Sequence, residues 1–105
     1  MNDKNENIIN RNGFEFRCTC LGYPEQYDVF QNGTYIAYVR KRFGVLTVNP
    51  VKNGEIVWDT VIHREVDSKD PLMLSGTIDN LYGAIDKITS AILRFNKRKV
   101  WVFGK

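Results

Sequence analysis

Between residues 13 and 66 apolar and polar side chains alternate in short runs, and from residue 78 onward the apolar spacing changes to three and four. The first pattern belongs to strands, whose side chains project alternately to two faces. The second belongs to a helix with one apolar stripe. Phe14, Phe16, Cys18 and Cys20 alternate with Glu15, Arg17 and Thr19, which predicts a half-buried strand over 14–20. Asn12-Gly13, Asn32-Gly33 and Asn53-Gly54 mark type I′ turns, because both central residues of that turn need positive φ. A two-residue loop at Asn32-Gly33 sets Gln31 against Thr34, Val29 against Ile36 and Tyr27 against Tyr38, with Phe30 beside Tyr35 on the other face. The loop at Asn53-Gly54 likewise pairs Val51 with Ile56, Asn49 with Trp58, Thr47 with Thr60 and Val45 with Ile62. Gly44 is expected to bend one long strand over 34–50.

Residues 66–71 read as a loop and Leu72-Met73-Leu74 as a short extended piece. Ile78, Leu81, Tyr82, Ile85, Ile88, Ile92 and Phe95 then predict an amphipathic helix over about 77–96. Ser75 or Thr77 caps it, Asp79 lies in its first turn, and Arg94, Lys97 and Arg98 gather at its end. Gly83 inside it costs about 1 kcal/mol relative to Ala, which suggests close contact with a sheet. Val100 to Phe103 reads as a last strand. The fold class is α+β: a twisted antiparallel sheet of five or six strands, a hairpin meander, with one long C-terminal helix packed across one face. A chain of 105 residues suffices for one core. Residues 13–105 form that domain, and the Asn-rich residues 1–12 read as a flexible tail.

Apolar residues make up 43% and charged ones 26% of the chain, values that exclude disorder and coiled coil. No run reaches the ~18 apolar residues of a membrane span, and the first dozen residues are polar, so a cytoplasmic protein without a membrane partner is expected. Cys18 and Cys20, two apart in a strand, should point the same way with Cα atoms about 7 Å apart, too far for an easy disulfide. Reduced thiols fit a cytosolic compartment. His63 is the only histidine, so neither a metal site nor a cofactor is expected.

The net charge is +3, distributed as −1 over residues 1–70 and +4 over 71–105. Two basic clusters stand next to aromatic side chains. Arg40 and Arg42 share a strand face with Tyr38, whereas Lys41 lies opposite with Phe43. Arg94, Lys97, Arg98 and Lys99 precede Trp101. Such interleaving suits single-stranded nucleic acid, where bases stack on rings and cations meet phosphates. The plainer explanations are a solvated strand end whose charges deter edge pairing and the ordinary cationic end of a helix.

The run Tyr27-Asp28-Val29-Phe30, then Gly33, Tyr35-Ile36-Ala37-Tyr38-Val39-Arg40 and Phe43-Gly44-Val45-Leu46-Thr47-Val48 resembles small uncharacterised proteins of phages and mobile elements. Those carry the pattern Tyr, hairpin Gly, Ile-Gly-Tyr-Ile-Arg, Gly, Leu-x-Val. Ala37 stands where that pattern has Gly, and the match spans residues 27–48. The resemblance implies a stand-alone accessory protein that binds and modulates a host factor without catalysis, and it assigns no functional residues.

The sequence therefore predicts a small non-enzymatic cytoplasmic binding protein with an unidentified protein partner, a second copy of the chain among the candidates. Its expected interface contains Tyr35, Phe43, Trp58 and Trp101. The first alternative is a single-stranded nucleic-acid binder using Tyr38, Arg40, Arg42, Arg94, Lys97, Arg98 and Lys99, which requires the two basic clusters to converge. A second alternative, a small enzyme centred on His63, requires Cys18, Cys20 or a carboxylate within reach of the imidazole in a concave pocket.

Overall fold

The structure is a computed structural model that describes residues 8–20, 24–66, 76, 78 and 80–103, with side chains as far as residue 98. Among the described residues, seven strands precede one helix: β1 (Ile8–Arg11), β2 (Phe14–Cys20), β3 (Glu25–Gln31), β4 (Thr34–Arg42), β5 (Val45–Lys52), β6 (Glu55–Ile56), β7 (His63–Val66) and α1 (Leu81–Phe103). All pairings are antiparallel. The first six strands lie in chain order, and β7 returns to pair with β5. The hairpin meander and single helix expected from the periodicities are present. Residues 8–11, assigned to the tail by composition, are instead the first strand. Residues 1–7, Leu72-Met73-Leu74, Ser75, Thr77 and Asp79 lie outside the described residues.

Four two-residue turns connect the strands. In each, both residues have positive φ: Asn12-Gly13, Asn32-Gly33 and Asn53-Gly54 as the sequence predicts, and also Phe43-Gly44, at φ 53° and 73°. Gly44 therefore closes a hairpin rather than bending one long strand.

Two bulges correct the predicted registers. Phe30 faces Tyr35 as expected, but Val29 then faces Ala37, leaving Ile36 as the extra residue, so that Tyr27 meets Val39 and Asp28 meets Tyr38. Between β2 and β3, Cys18 faces Tyr27 while Cys20 faces Gln26. The extra residue is Thr19, and the two free thiols part to opposite faces of the sheet. The Asn53-Gly54 hairpin keeps only Val51–Ile56 of its predicted pairs. The chain leaves the ladder there because the Asn49 side-chain amide donates to the Thr60 carbonyl at 2.9 Å and Ile62 N–H to the Val48 carbonyl at 2.8 Å. Val45 consequently faces Val66 rather than Ile62.

The sheet face covered by α1 carries Phe14, Phe16, Tyr27, Val29, Ala37, Val39, Leu46 and Val48, and the helix meets them with Ala84, Ile85, Ile88 and Ile92. The helix starts at Leu81, where the Asn80 side-chain oxygen accepts the Gly83 N–H at 3.1 Å. A Cβ on Gly83 would come within 2.5 Å of the Asn80 side-chain amide, so this glycine makes room for the cap and not for the sheet. The helix continues through Phe103, so Val100 to Phe103 is helical and not a strand. Arg94, Lys97 and Arg98 accordingly lie before its last turn.

The first hairpin is clamped to the helix. Arg11 forms a two-pronged pair with Asp86 at 2.8 and 3.1 Å, and the Asn12 amide donates to Asp86 at 2.8 Å and to Thr89 at 3.0 Å. These donors draw the Asp86 carboxyl from 3.8 down to about 2. A carboxyl depressed on folding stabilises above its unfolded pKa, and that contribution is lost as pH falls through the folded value. Urea midpoints across this window should therefore fall more steeply for the natural chain than for Asp86→Asn; parallel slopes would show that the clamp is not formed in solution.

Candidate functional site

The bulge at Ile36 decides which side chains share the face that α1 leaves uncovered. Beyond it Tyr38, Arg40 and Arg42 all stand on that face, joined through the ladders by Asp28 and Gln26 of β3 and by Asn49, Thr47 and Val45 of β5. Two aromatic groups organise the surface. Phe30 stacks on Tyr35 with centroids 5.3 Å apart, the Arg17 guanidinium lies 4.0 Å from the Phe30 centroid, and the Tyr35 hydroxyl donates to Asp28 at 2.8 Å. Burial and that bond to Asp28 push the Tyr35 phenol well above its ordinary pKa. In the second group Trp58 meets Tyr38 edge to face at 5.7 Å, and the Arg40 guanidinium is 5.7 Å from the Trp58 centroid. Burial raises the Tyr38 phenol, while the nearby Arg40 and Arg42 charges oppose that rise.

Trp58 and Phe43 are the open rings, 58% and 57% exposed. Trp58 is held out by the stitched loop after β6. Phe43 projects from the β4–β5 turn with the Arg42 guanidinium 5.0 Å from its centroid. The Phe30 ring is engaged by Tyr35 and Arg17, and Tyr38 is buried.

The register adds a residue that the sequence reading missed. Arg64 of β7 faces Thr47, which faces Arg40, so Arg40, Thr47 and Arg64 form one row across the uncovered face, beside the row Arg42, Val45 and Val66. The predicted pairing of Thr47 with Thr60 had concealed this. Among the described residues no carboxylate pairs with Arg40, Arg42 or Arg64, whereas Arg17 pairs with Glu15 and Lys87 with Glu65. The Arg40 Nε is buried without a hydrogen-bond partner. β4 lies inside the sheet between β3 and β5. Its arginines therefore do not guard an edge, and Lys41 points to the helix side, buried opposite Glu25.

The two basic clusters do not converge. Arg40 and Arg42 face away from α1, while Arg94, Lys97 and Arg98 are carried by α1; the Lys99 and Trp101 side chains lie outside the described residues. Tyr35, Phe43 and Trp58 belong to one sheet face or its rim, but Tyr35 is tied to Phe30 and Asp28, leaving Phe43 and Trp58 as its open anchors.

His63 stands on the helix side opposite Val48, with Nε2 3.3 Å from Glu65. That carboxylate is held by Lys87 at 3.1 Å, and this bond keeps its pKa below the usual range. Four interstrand steps of about 4.8 Å separate β7 from β2, so His63 is roughly 19 Å from the strand bearing both thiols. The fold does not assemble a cysteine–histidine pair. An open depression of about 470 Å³ lies instead at the opposite side of the sheet, between the Asn12-Gly13 and Asn32-Gly33 turns, and neither His nor Cys lines it. Among the described residues no cluster of three His, Cys, Asp or Glu could hold a metal ion, and no helix is long and apolar enough to cross a membrane.

No family model, curated protein or solved structure matches this chain. The functional reading rests on the chain's own geometry.

Proposed function

We propose that this chain is a non-catalytic cytoplasmic binding module that docks a protein partner on its helix-free sheet face, with Trp58, Arg40 and Phe43 at the centre of contact. The observation that carries the reading is the backbone of Phe43. The other three turns place Asn at the corresponding position, the residue that best tolerates the left-handed region after Gly. A bulky side chain there costs about 1 kcal/mol, and Phe43 recovers little through burial, being more than half exposed. Strain retained at an exposed aromatic residue is the mark of a site kept for contact. Trp, Tyr and Arg around it are the residue types that dominate binding energy at interfaces. The resemblance to small phage and mobile-element proteins supports the same kind of role, a modulator acting by binding.

Phe43→Asn should raise unfolding stability by about 1 kcal/mol and weaken partner capture. Trp58→Ala should weaken capture at least about tenfold, while Leu93→Ala, on the exposed face of α1, leaves it unchanged. Capture that survives both sheet-face variants, or that fails with Leu93→Ala, would move the interface elsewhere.

The unpaired arginines beside two open rings favour one second reading, single-stranded nucleic acid. A steeply salt-dependent affinity for oligonucleotides, lost in Arg40→Gln, would establish it. Light scattering on the same samples reports whether a second copy is the partner.

A further inference from the structure

Resting on the reading that this face binds a protein, we propose that the partner presents an extended acidic segment whose carboxylates are received by Arg40, Arg42 and Arg64. Three other cations are neutralised within the chain. Arg11 is paired with Asp86, Arg17 with Glu15 and Lys87 with Glu65. Among the described residues, Arg40, Arg42 and Arg64 alone among the arginines of the sheet's uncovered face have no paired carboxylate. The nearest acid on that face, Asp28, faces Tyr38 and accepts the Tyr35 hydroxyl. Three like charges on β4 and β7, the two strands that flank β5, repel one another, and the arrangement is best relieved by an external anion.

The geometry suits a chain of carboxylates better than other anions. Arg40 and Arg42 are two apart on one strand, hence about 7 Å apart, which is also the spacing of alternate residues in an extended peptide. Arg64 lies about 10 Å from Arg40 across β5. A guanidinium resting on an aromatic ring is fixed in orientation while its N–H edge stays open for a two-pronged carboxylate contact. The Arg40 guanidinium lies 5.7 Å from the Trp58 centroid, with its Nε buried and unpaired, and that of Arg42 lies 5.0 Å from the Phe43 centroid. The same contacts argue against bases as the main ligand, since guanidinium groups already lie against both open rings. A second copy docking face to face would set these arginines against their own equivalents, so self-association by this face is disfavoured.

The test is NMR titration of the isotope-labelled full chain with three probes: a peptide alternating Glu and Thr, the same peptide with Lys for Glu, and an oligodeoxythymidine. The Glu peptide is expected to shift the amides of β4, β5 and β7 and the Arg40 side-chain signal. Its Kd should rise roughly tenfold in Arg42→Gln and again in Arg64→Gln, and should rise with salt. The Lys peptide is expected to shift nothing. Absence of binding, shifts confined to residues 94–98 of α1, or tighter binding of the oligonucleotide at the same residues would each overturn the proposal. Partner capture that still depends on Trp58 but is unchanged in the Arg42→Gln/Arg64→Gln double variant would overturn the acidic segment alone. Capture indifferent to Trp58 would overturn the protein-binding reading beneath it.

Discussion

Glu25→Ala is expected to lower the unfolding free energy by about 2–5 kcal/mol, a large share of what a domain of this size possesses. Glu25 is 7% exposed and stands opposite Lys41, itself 6% exposed, in the β3–β4 register. Its carboxylate accepts the Tyr27 hydroxyl at 2.5 Å and the Ile78 N–H at 2.8 Å, while its own N–H donates to the Gly76 carbonyl at 2.6 Å. Burial and the bond to Glu25 push the Tyr27 phenol far above its ordinary pKa. Alanine would strand a buried hydroxyl and a backbone amide. It would also release the approach to α1 at Ile78. Tyr27→Phe, which removes one donor and retains the carboxylate, should cost only about 1 kcal/mol. Urea unfolding measures both; a Glu25→Ala loss no larger than that of Tyr27→Phe would show that the carboxylate does not hold this junction.

Phe16→Ala is expected to cost about 4 kcal/mol. Phe16 is 1% exposed, faces Ile9 on β1 and Val29 on β3, and meets Tyr27 edge to face with centroids 6.4 Å apart. Its own strand is hydrogen-bonded on both sides, to β1 and β3, so the sheet cannot easily collapse into the space left behind. For a domain of this size that loss corresponds to a Tm lower by roughly 15–30 °C. Thermal unfolding checks it, with Phe16→Leu as the volume-sparing control expected to lose about a third as much. A Phe16→Ala loss below that of the control would mean that the helix–sheet core is packed otherwise than described.

These two sites differ in how far the sequence announces them. Phe16 is legible as an inward position of an alternating strand. Glu25 is not, because a carboxylate at a strand start reads as solvated until the fold sets Tyr27, Ile78 and Lys41 around it. The uncovered face shows the same division. Tyr38, Arg40 and Arg42 are legible as sharing one side, since alternation within a strand is local. Arg64 joins them only through the pairing of β7 with β5, which depends on where the stitched loop after β6 returns.

The sequence by itself determined the three Asn-Gly turns, the strand and helix periods and hence the meander with its closing helix, because each follows from the conformational preference of a few adjacent residues. Only the tertiary structure decided the bulges at Thr19 and Ile36, the fourth turn at Phe43-Gly44, the continuation of α1 to Phe103 and the face left uncovered. A bulge or a strained turn is chosen by the packing of residues distant in sequence. Ile36 leaves the register so that Val29 can meet Ala37 beneath the helix, and that shift sets Tyr38, Arg40 and Arg42 on the face that α1 leaves uncovered.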